Sequence, residues 1–167
     1  YFMIGLPKEE NADLEAIIDL SHRLSSLRKE VCGAYAEINI SVSTFIPKPH
    51  TPFQWLPMAT MKEIIEKQQL LSSLLGKFRH KLKISFHSPY MSVLESALCR
   101  GNRDLSGVIT DAFRNGAQFD QWVEYFNFDN WRNAFETNNL DIEQMATRSL
   151  ELDSKLSAYR LREENAC

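Results

Sequence analysis

The chain has no run of eighteen apolar residues, so no part of it reads as a membrane-spanning helix. It also lacks a basic stretch leading into an apolar core, the mark of a secretory leader. Cysteine is scarce and scattered. Cys32, Cys99 and Cys167 stand 67 and 68 residues apart, without motif spacing, which points to reduced thiols in a reducing compartment. Cytoplasmic is the expected location. Neither the Gly-x-Gly-x-x-Gly of a dinucleotide fold nor the Gly-Lys-[Ser/Thr] of a phosphate-binding loop occurs. Positive charge is in slight deficit, 19 Lys and Arg against 22 Asp and Glu for a net −3, which argues against a nucleic-acid backbone as main partner.

What is present is an ordinary globular composition, 44% apolar and 25% charged over 167 residues, enough for a real core. Tyr1 to Ile4 reads as a short buried strand closed by Gly5-Leu6-Pro7. From about Asn11 the pattern turns helical. Leu14, Ile17, Ile18, Leu24, Leu27 and Val31 share one stripe, Asn11 or Asp13 is placed to cap the start, and Gly33 suits the stop. A β-branched run from about Glu37 to Ile46 is the central strand. A helix over 60–78 and a strand over Leu82–His87 follow. Strand–helix–strand–helix–strand implies crossovers and a parallel sheet, and three strands leave unpaired edges. After Pro89 only helical segments are expected, near 90–100, 104–115, 119–127, 130–138 and 141–160. The aromatics Phe113, Phe119, Trp122, Tyr125, Phe126, Phe128, Trp131 and Phe135 are read as their packed core. Residues 1–89 thus form an α/β part and 90–167 an all-helical extension, with Tyr159–Cys167 expected to fray.

Four stretches carry chemistry or a structural equivalent of it. Gly5 lets a ligand approach the backbone at the end of a strand, and the Glu9 carboxylate four residues on is placed to accept from a ribose or an amine. Pro47, Pro49 and Pro52 stiffen the exit of the central strand and carry Lys48, His50 and Thr51. That loop is either a site element at a strand's carboxyl end or a rigid connector. His50 and His87 follow different parallel strands and are candidates for one rim, where they would bind a metal or shuttle protons; no third ligand has recognisable spacing, so no metal is assigned. Ser41 and Ser43 put small polar residues on one strand face, as an inner barrel surface or a tightly packed helix requires. Arg100 and Arg103 either clamp an anion, or Arg100 serves its helix's C-terminal dipole while Asp104 caps the next helix.

In this order, the segments resemble the radical SAM enzymes. Tyr-Phe-Met-Ile-Gly-Leu-Pro-Lys-Glu looks like a late barrel strand and its turn, and Ser-Thr-Phe-Ile-Pro-Lys-Pro-His-Thr-Pro-Phe-Gln-Trp like the next strand with its proline loop. That second run, His87-Ser88-Pro89, the stretch from Leu94 to Arg103, Gly116 to Trp122 and Trp131 to Phe135 are similar to bacterial B12-binding-domain radical SAM proteins of uncharacterised function. The likeness reaches to about residue 160. The family's Cys-x3-Cys-x2-Cys is absent, and Glu10 stands where the family usually has threonine.

The resemblance implies three parallel strands of a partial, TIM-like (β/α) barrel followed by a helical extension, cut from a longer enzyme whose missing N-terminal part is its first partner. Gly5, Pro7, Glu9, Ser41 and Ser43 would face S-adenosylmethionine, while Lys48, His50, Thr51 and His87 would line the substrate side. No catalytic residue and no metal ligand are assigned. S-adenosylmethionine, a 4Fe–4S cluster and, in some members, cobalamin belong to the full-length protein and not to this chain, which would be inert alone. The alternative is a non-enzymatic interaction module that self-associates through exposed sheet edges and presents an aromatic helical half. Neither a nucleic acid nor a membrane is expected as partner.

Overall fold

Phe2–Ile4 (β1), Ile38–Thr44 (β2) and Leu82–Phe86 (β3) pair in parallel in the order β1-β2-β3, with Phe2 opposite Val42 and Ile40 opposite Ile84. This computed structural model describes residues 1–78 and 81–150. The described chain divides into a sheet unit, residues 1–45 with 59–89, and a helical unit, residues 46–58 with 90–150. The expected change of character near Pro89 is present, but the proline loop groups with the helical unit.

In the sheet unit the crossovers are Asn11–Cys32 (α1) and Met61–Leu74 (α2), the latter prolonged by a 3-10 turn to Phe78. Period-two burial puts Ile4, Ile40, Val42 and Leu82 on one face, where Leu14, Ile17, Ile18, Leu71 and Leu75 cover them. Asp13 reaches back to the Glu10 N–H at 2.9 Å, so α1 starts with Asn11 already inside it. Thr60 and Glu63 form a reciprocal capping box on α2, which fixes where the Pro-rich loop ends and the helix begins.

The stripe expected on α1 is only half right. Leu14, Ile17 and Ile18 are buried, but Leu24, Leu27 and Val31 are exposed and the small side chains of Ser21 and Ser25 take the inward positions. Each serine satisfies its hydroxyl locally or across the packing: Ser21 Oγ donates to the Ile17 carbonyl at 2.8 Å and Ser25 Oγ to the Ala36 carbonyl at 2.6 Å. A hydroxyl with a carbonyl in reach is cheap to bury, and it lets the helix sit closer than leucine would.

The helical unit contains Pro89–Arg100 (α3), Leu105–Arg114 (α4), Phe128–Thr137 (α5) and Ile142–Thr147 (α6). Val93, Ala97, Val108, Ala112, Ala134, Phe135 and Ala146 are among its buried apolar residues. At Gly107, α4 and α5 approach so closely that a Cβ would lie 2.3 Å from Asn138 Oδ1. Asn138 Nδ2 there donates to Asp111 at 3.0 Å and to the Ala134 carbonyl at 2.8 Å, which ends α5 against α4.

Two expectations fail here. Residues 119–127 form turns rather than a helix. Of the eight aromatics read as core, Trp131 and Phe135 are buried and Phe126 and Phe128 half-buried, while Phe113, Phe119, Trp122 and Tyr125 are exposed. Of the expected helix over 141–160 only Ile142–Thr147 forms, as α6; Arg148 is already extended, and the part beyond Leu150 lies outside the described residues, as do Tyr159–Cys167. Among the described residues no helix is long and apolar enough to cross a membrane.

Candidate functional site

Since both helices of the sheet unit cover one face, the alternate residues define a second, helix-free face within that unit. Register aligns Met3 with Ser43, Ser41 with Ser85 and Asn39 with Lys83. This face is therefore largely polar, with Ser43, Asn39, Lys83 and Ser85 exposed. Ser43 Oγ donates to the Phe2 carbonyl at 3.2 Å. Ser41 and Ser43 thus lie where the sequence placed them, on one face that no helix of the unit covers.

At the carboxyl end of β1 the chain turns through Gly5, with φ of +82°, and Lys8, with φ of +67°. This curl points two backbone N–H groups at one carboxylate. Gly5 N–H donates to Glu9 Oε2 at 2.9 Å and Oε1 at 3.1 Å, and Leu6 N–H donates to Oε2 at 3.4 Å. From α2, Lys67 Nζ reaches Glu9 Oε1 at 2.7 Å. The carboxylate is 6% exposed and the ammonium 20%, so this pair is largely shielded from screening. Glu9, expected to accept from a ligand, is engaged by its own turn. Lys67 was missed because a lysine four residues after Glu63 reads as a surface i,i+4 partner.

Thr44, at the end of β2 beside Gly5, has a buried Oγ1 with no hydrogen-bond partner among the described residues. Glu63 stands nearby on α2, where the Thr60 backbone N–H and then the Thr60 hydroxyl hold its carboxyl below the usual carboxylate range. A carboxylate shifted that way is a weak base. The sheet unit therefore offers binding surface and fixed dipoles.

The proline loop is anchored inside the helical unit. Lys48 pairs with Glu95 of α3 and lies 3.7 Å from Cys99 Sγ. Burial pulls the Lys48 ammonium down, but the neighbouring Glu95 and Cys99 outweigh it and leave the pKa raised. Lys48 is thus a permanently charged tether. Thr51 Oγ1 donates to the Lys48 carbonyl at 2.8 Å, and His50, at φ of +60°, donates its N–H to Gln54 Oε1 at 3.3 Å. His87 lies in the sheet unit, its N–H on the Val42 carbonyl at 3.0 Å. His50 and His87 fall in different units, so neither unit by itself brings the two histidines together.

Arg100 closes the loop from the other side. Its guanidinium, buried to 1% exposure, donates to the carbonyls of Gln54 at 3.3 Å and Leu56 at 3.1 Å and also to that of Arg148. Burial and then the nearby Arg148 charge push its pKa below the ordinary arginine range. Arg100 stands in the last turn of α3, as the dipole reading expects, but its guanidinium is engaged by carbonyls of the proline loop and of Arg148. Arg103 lines a separate shallow recess of about 550 Å³ with Leu98, Leu105 and Ile109. Asp104 makes no side-chain cap; its carboxylate accepts from Asn102 Nδ2 at 2.9 Å.

Among the described residues, no group of three or more His, Cys, Asp or Glu is placed to hold a metal ion. Compared with known proteins, the chain is similar to an uncharacterised protein, MJ0966, of Methanocaldococcus jannaschii, at 28% identity over 108 residues. The match takes in 64% of this chain and 21% of that protein, so the chain spans about a fifth of its relative's length. No family model matches the chain. No solved structure matches it either.

Proposed function

We propose that this chain is part of a radical SAM iron–sulfur enzyme, contributing the distal wall that faces S-adenosylmethionine and substrate. The observation that carries the reading is the unfinished flank of the sheet unit. Among the described residues β1 pairs only with β2. On α1, Leu20, Leu24, Leu27 and Val31 form a second apolar stripe, 43–76% exposed, roughly 100° round the helix from the buried one. His22, whose ring lies 4.3 Å from that of Phe78 after α2, marks the α2 side of α1. The exposed stripe is on the opposite side, towards the free edge of β1. An open strand edge and a bare apolar helix flank facing the same way are what a further β-strand and helix would cover.

A polar, helix-free sheet face supports the same reading, since it is the side on which a curled parallel sheet holds its ligand. Of the residues assigned to S-adenosylmethionine, Ser41 keeps a hydroxyl that makes no hydrogen bond among the described residues, and the strand backbone beside it offers a flat surface on which an adenine would stack. Gly5 and Glu9 act as support, holding the rim rather than touching the ligand. Among the described residues no group is placed to hold an iron–sulfur cluster, Cys32 and Cys99 belonging to no metal-holding group. The cluster's ligands would come from other sequence.

The test begins with the intact mass of the native polypeptide containing this segment. The expected result is a mass well above 19.3 kDa and, after anaerobic iron and sulfide loading, release of 5′-deoxyadenosine from S-adenosylmethionine under reduction. A native chain of 19.3 kDa with no partner subunit, or an iron-loaded longer chain that yields none, overturns the reading.

A further inference from the structure

We propose that residues 119–125, together with the exposed ridge of α4, form a docking surface for a Lys- or Arg-rich amphipathic segment of a partner polypeptide. Within seven residues this turn exposes Phe119 (70%), Trp122 (56%), Val123 (71%) and Tyr125 (62%). Ile109 and Phe113, four residues apart on α4 and so on one side of it, are exposed as well. Folded chains rarely leave that much aromatic surface in water without a use, and aromatics are the residues that dominate binding energy at protein interfaces.

The surface is built rigidly. Phe119 sits at φ of +60°, a left-handed conformation that costs a non-glycine residue about 1 kcal/mol and persists only where its surroundings impose it. Trp122 N–H donates to the Phe119 carbonyl at 2.9 Å and Tyr125 N–H to the Trp122 carbonyl at 3.0 Å. The Phe119 and Tyr125 rings pack with centroids 6.2 Å apart. Asp120 accepts from the indole N–H of Trp131 at 3.2 Å, which ties the turn to a buried residue of α5. A turn pinned at these points loses little entropy when it binds.

Charge selects the partner. Residues 104–150 hold eight carboxylates, three arginines and no lysine, a net −5, although the whole chain carries only −3. Two of those arginines are spent: Arg114 pairs with Asp111 at 3.2 Å and Arg132 with Asp129 at 2.7 Å. Glu124 stands exposed among the aromatic side chains with no ion pair among the described residues. A cationic segment gains both this field and contact with exposed ring faces. Nucleic acid and anionic lipid are repelled, and a second copy meeting the same patch would set like charge against like.

The experiment titrates the 167-residue chain into a fluorescent Lys/Leu amphipathic peptide, with a Glu/Leu peptide of the same pattern as control. Binding of the Lys/Leu peptide alone is expected, weakening as salt rises. In the Phe119→Ser/Trp122→Ser/Tyr125→Ser variant the Kd should rise at least about tenfold. Glu124→Lys keeps every aromatic and alters only an exposed side chain, so a fold defect cannot mimic its effect; its Kd should rise about threefold. Equal binding of both peptides, or unchanged affinity in both variants, overturns the proposal. So does a self-associated chain whose dimer disappears in the triple variant, since the face would then belong to a second copy.

Discussion

Each unit uses one nearly water-free charge to hold a loop, and the two solutions are opposite. In the sheet unit the charge is an anion, Glu9, gripped by the N–H groups of its own turn and by a lysine from α2. In the helical unit it is a cation, Arg100, gripped by three carbonyls and, among the described residues, by no carboxylate. The first closes a five-residue curl and joins it to α2 through Lys67, 58 positions on, leaving the strand face beside it open. The second joins residues 44, 46 and 48 positions apart, tying the proline loop and the residue after α6 to the end of α3. The units differ in what they leave exposed for the same reason. One presents hydroxyls on strand backbone, the other aromatic rings on a turn.

Arg100→Ala should produce the largest effect and test that contrast directly. It leaves three carbonyls unmet in a buried place, a loss of about 3–5 kcal/mol. Trp55, Trp122 and Trp131 all belong to the helical unit, so tryptophan fluorescence during urea unfolding reads the loss where it occurs. A shift under about 1 kcal/mol would mean that the carbonyls find water and that the arginine is dispensable.

Glu9→Gln is the matching lesion in the sheet unit. Glutamine keeps the size and the acceptor for the Gly5 N–H but strands Lys67 without its counter-ion. The expected cost is about 2 kcal/mol, visible as faster amide exchange in β1 and β2. A double-mutant cycle with Lys67→Met should recover part of it. If Glu9→Gln and Lys67→Met prove additive, the pair does not couple and the turn is held by its N–H groups alone.

How much of this was legible before the fold was known follows from what periodicity carries. A strand buried on one face and a helix after it leave strong patterns, and β1, β2, β3, α1 and α2 lie within a few residues of where those patterns put them. Which stripe of α1 turns inward was not legible, because that helix has two apolar stripes and Ser21 and Ser25 prolong the one that is buried. The turn at 119–125 fooled the same reasoning: Phe119, Trp122 and Tyr125 repeat every third residue, yet Phe119 in a left-handed conformation breaks any helix there. The site suffered from a related gap. Glu9 and Lys48 were visible as polar residues near strand ends, but Lys67, Glu95 and Cys99, the groups that engage them, are set by packing between distant segments, which no local pattern encodes.

The cap of α2 sharpens the comparison at a smaller scale. Thr60→Ala should cost about 1 kcal/mol at neutral pH. The Thr60 N–H and hydroxyl lower the folded pKa of Glu63 below its unfolded value. That contribution is therefore complete above the unfolded value, about 4.3, and is lost as pH falls through the lower folded one. The gap between wild type and variant should narrow below about pH 4, and because Glu63 faces solvent it should also narrow with salt. A gap independent of pH would assign the loss to the hydroxyl's bond with the Glu63 N–H rather than to its bond with the Glu63 carboxylate.

The smallest expected change is Thr44→Val, and its sign matters more than its size. Thr44 is 5% exposed, and its Oγ1 meets no partner among the described residues. A buried hydroxyl without a hydrogen bond is a cost that a methyl group of nearly the same shape removes. Valine also favours a strand, so the variant should be unchanged or more stable by up to about 1 kcal/mol in thermal unfolding. If valine is instead destabilising by more than about 1 kcal/mol, the hydroxyl is satisfied by a bridging water. The carboxyl end of β2 beside Gly5 would then be a wet pocket at the rim of the polar face, which would strengthen the case that ligand atoms reach it. A neutral or positive result makes that end dry packing and confines any ligand to the strand face marked by Ser41 and Ser43.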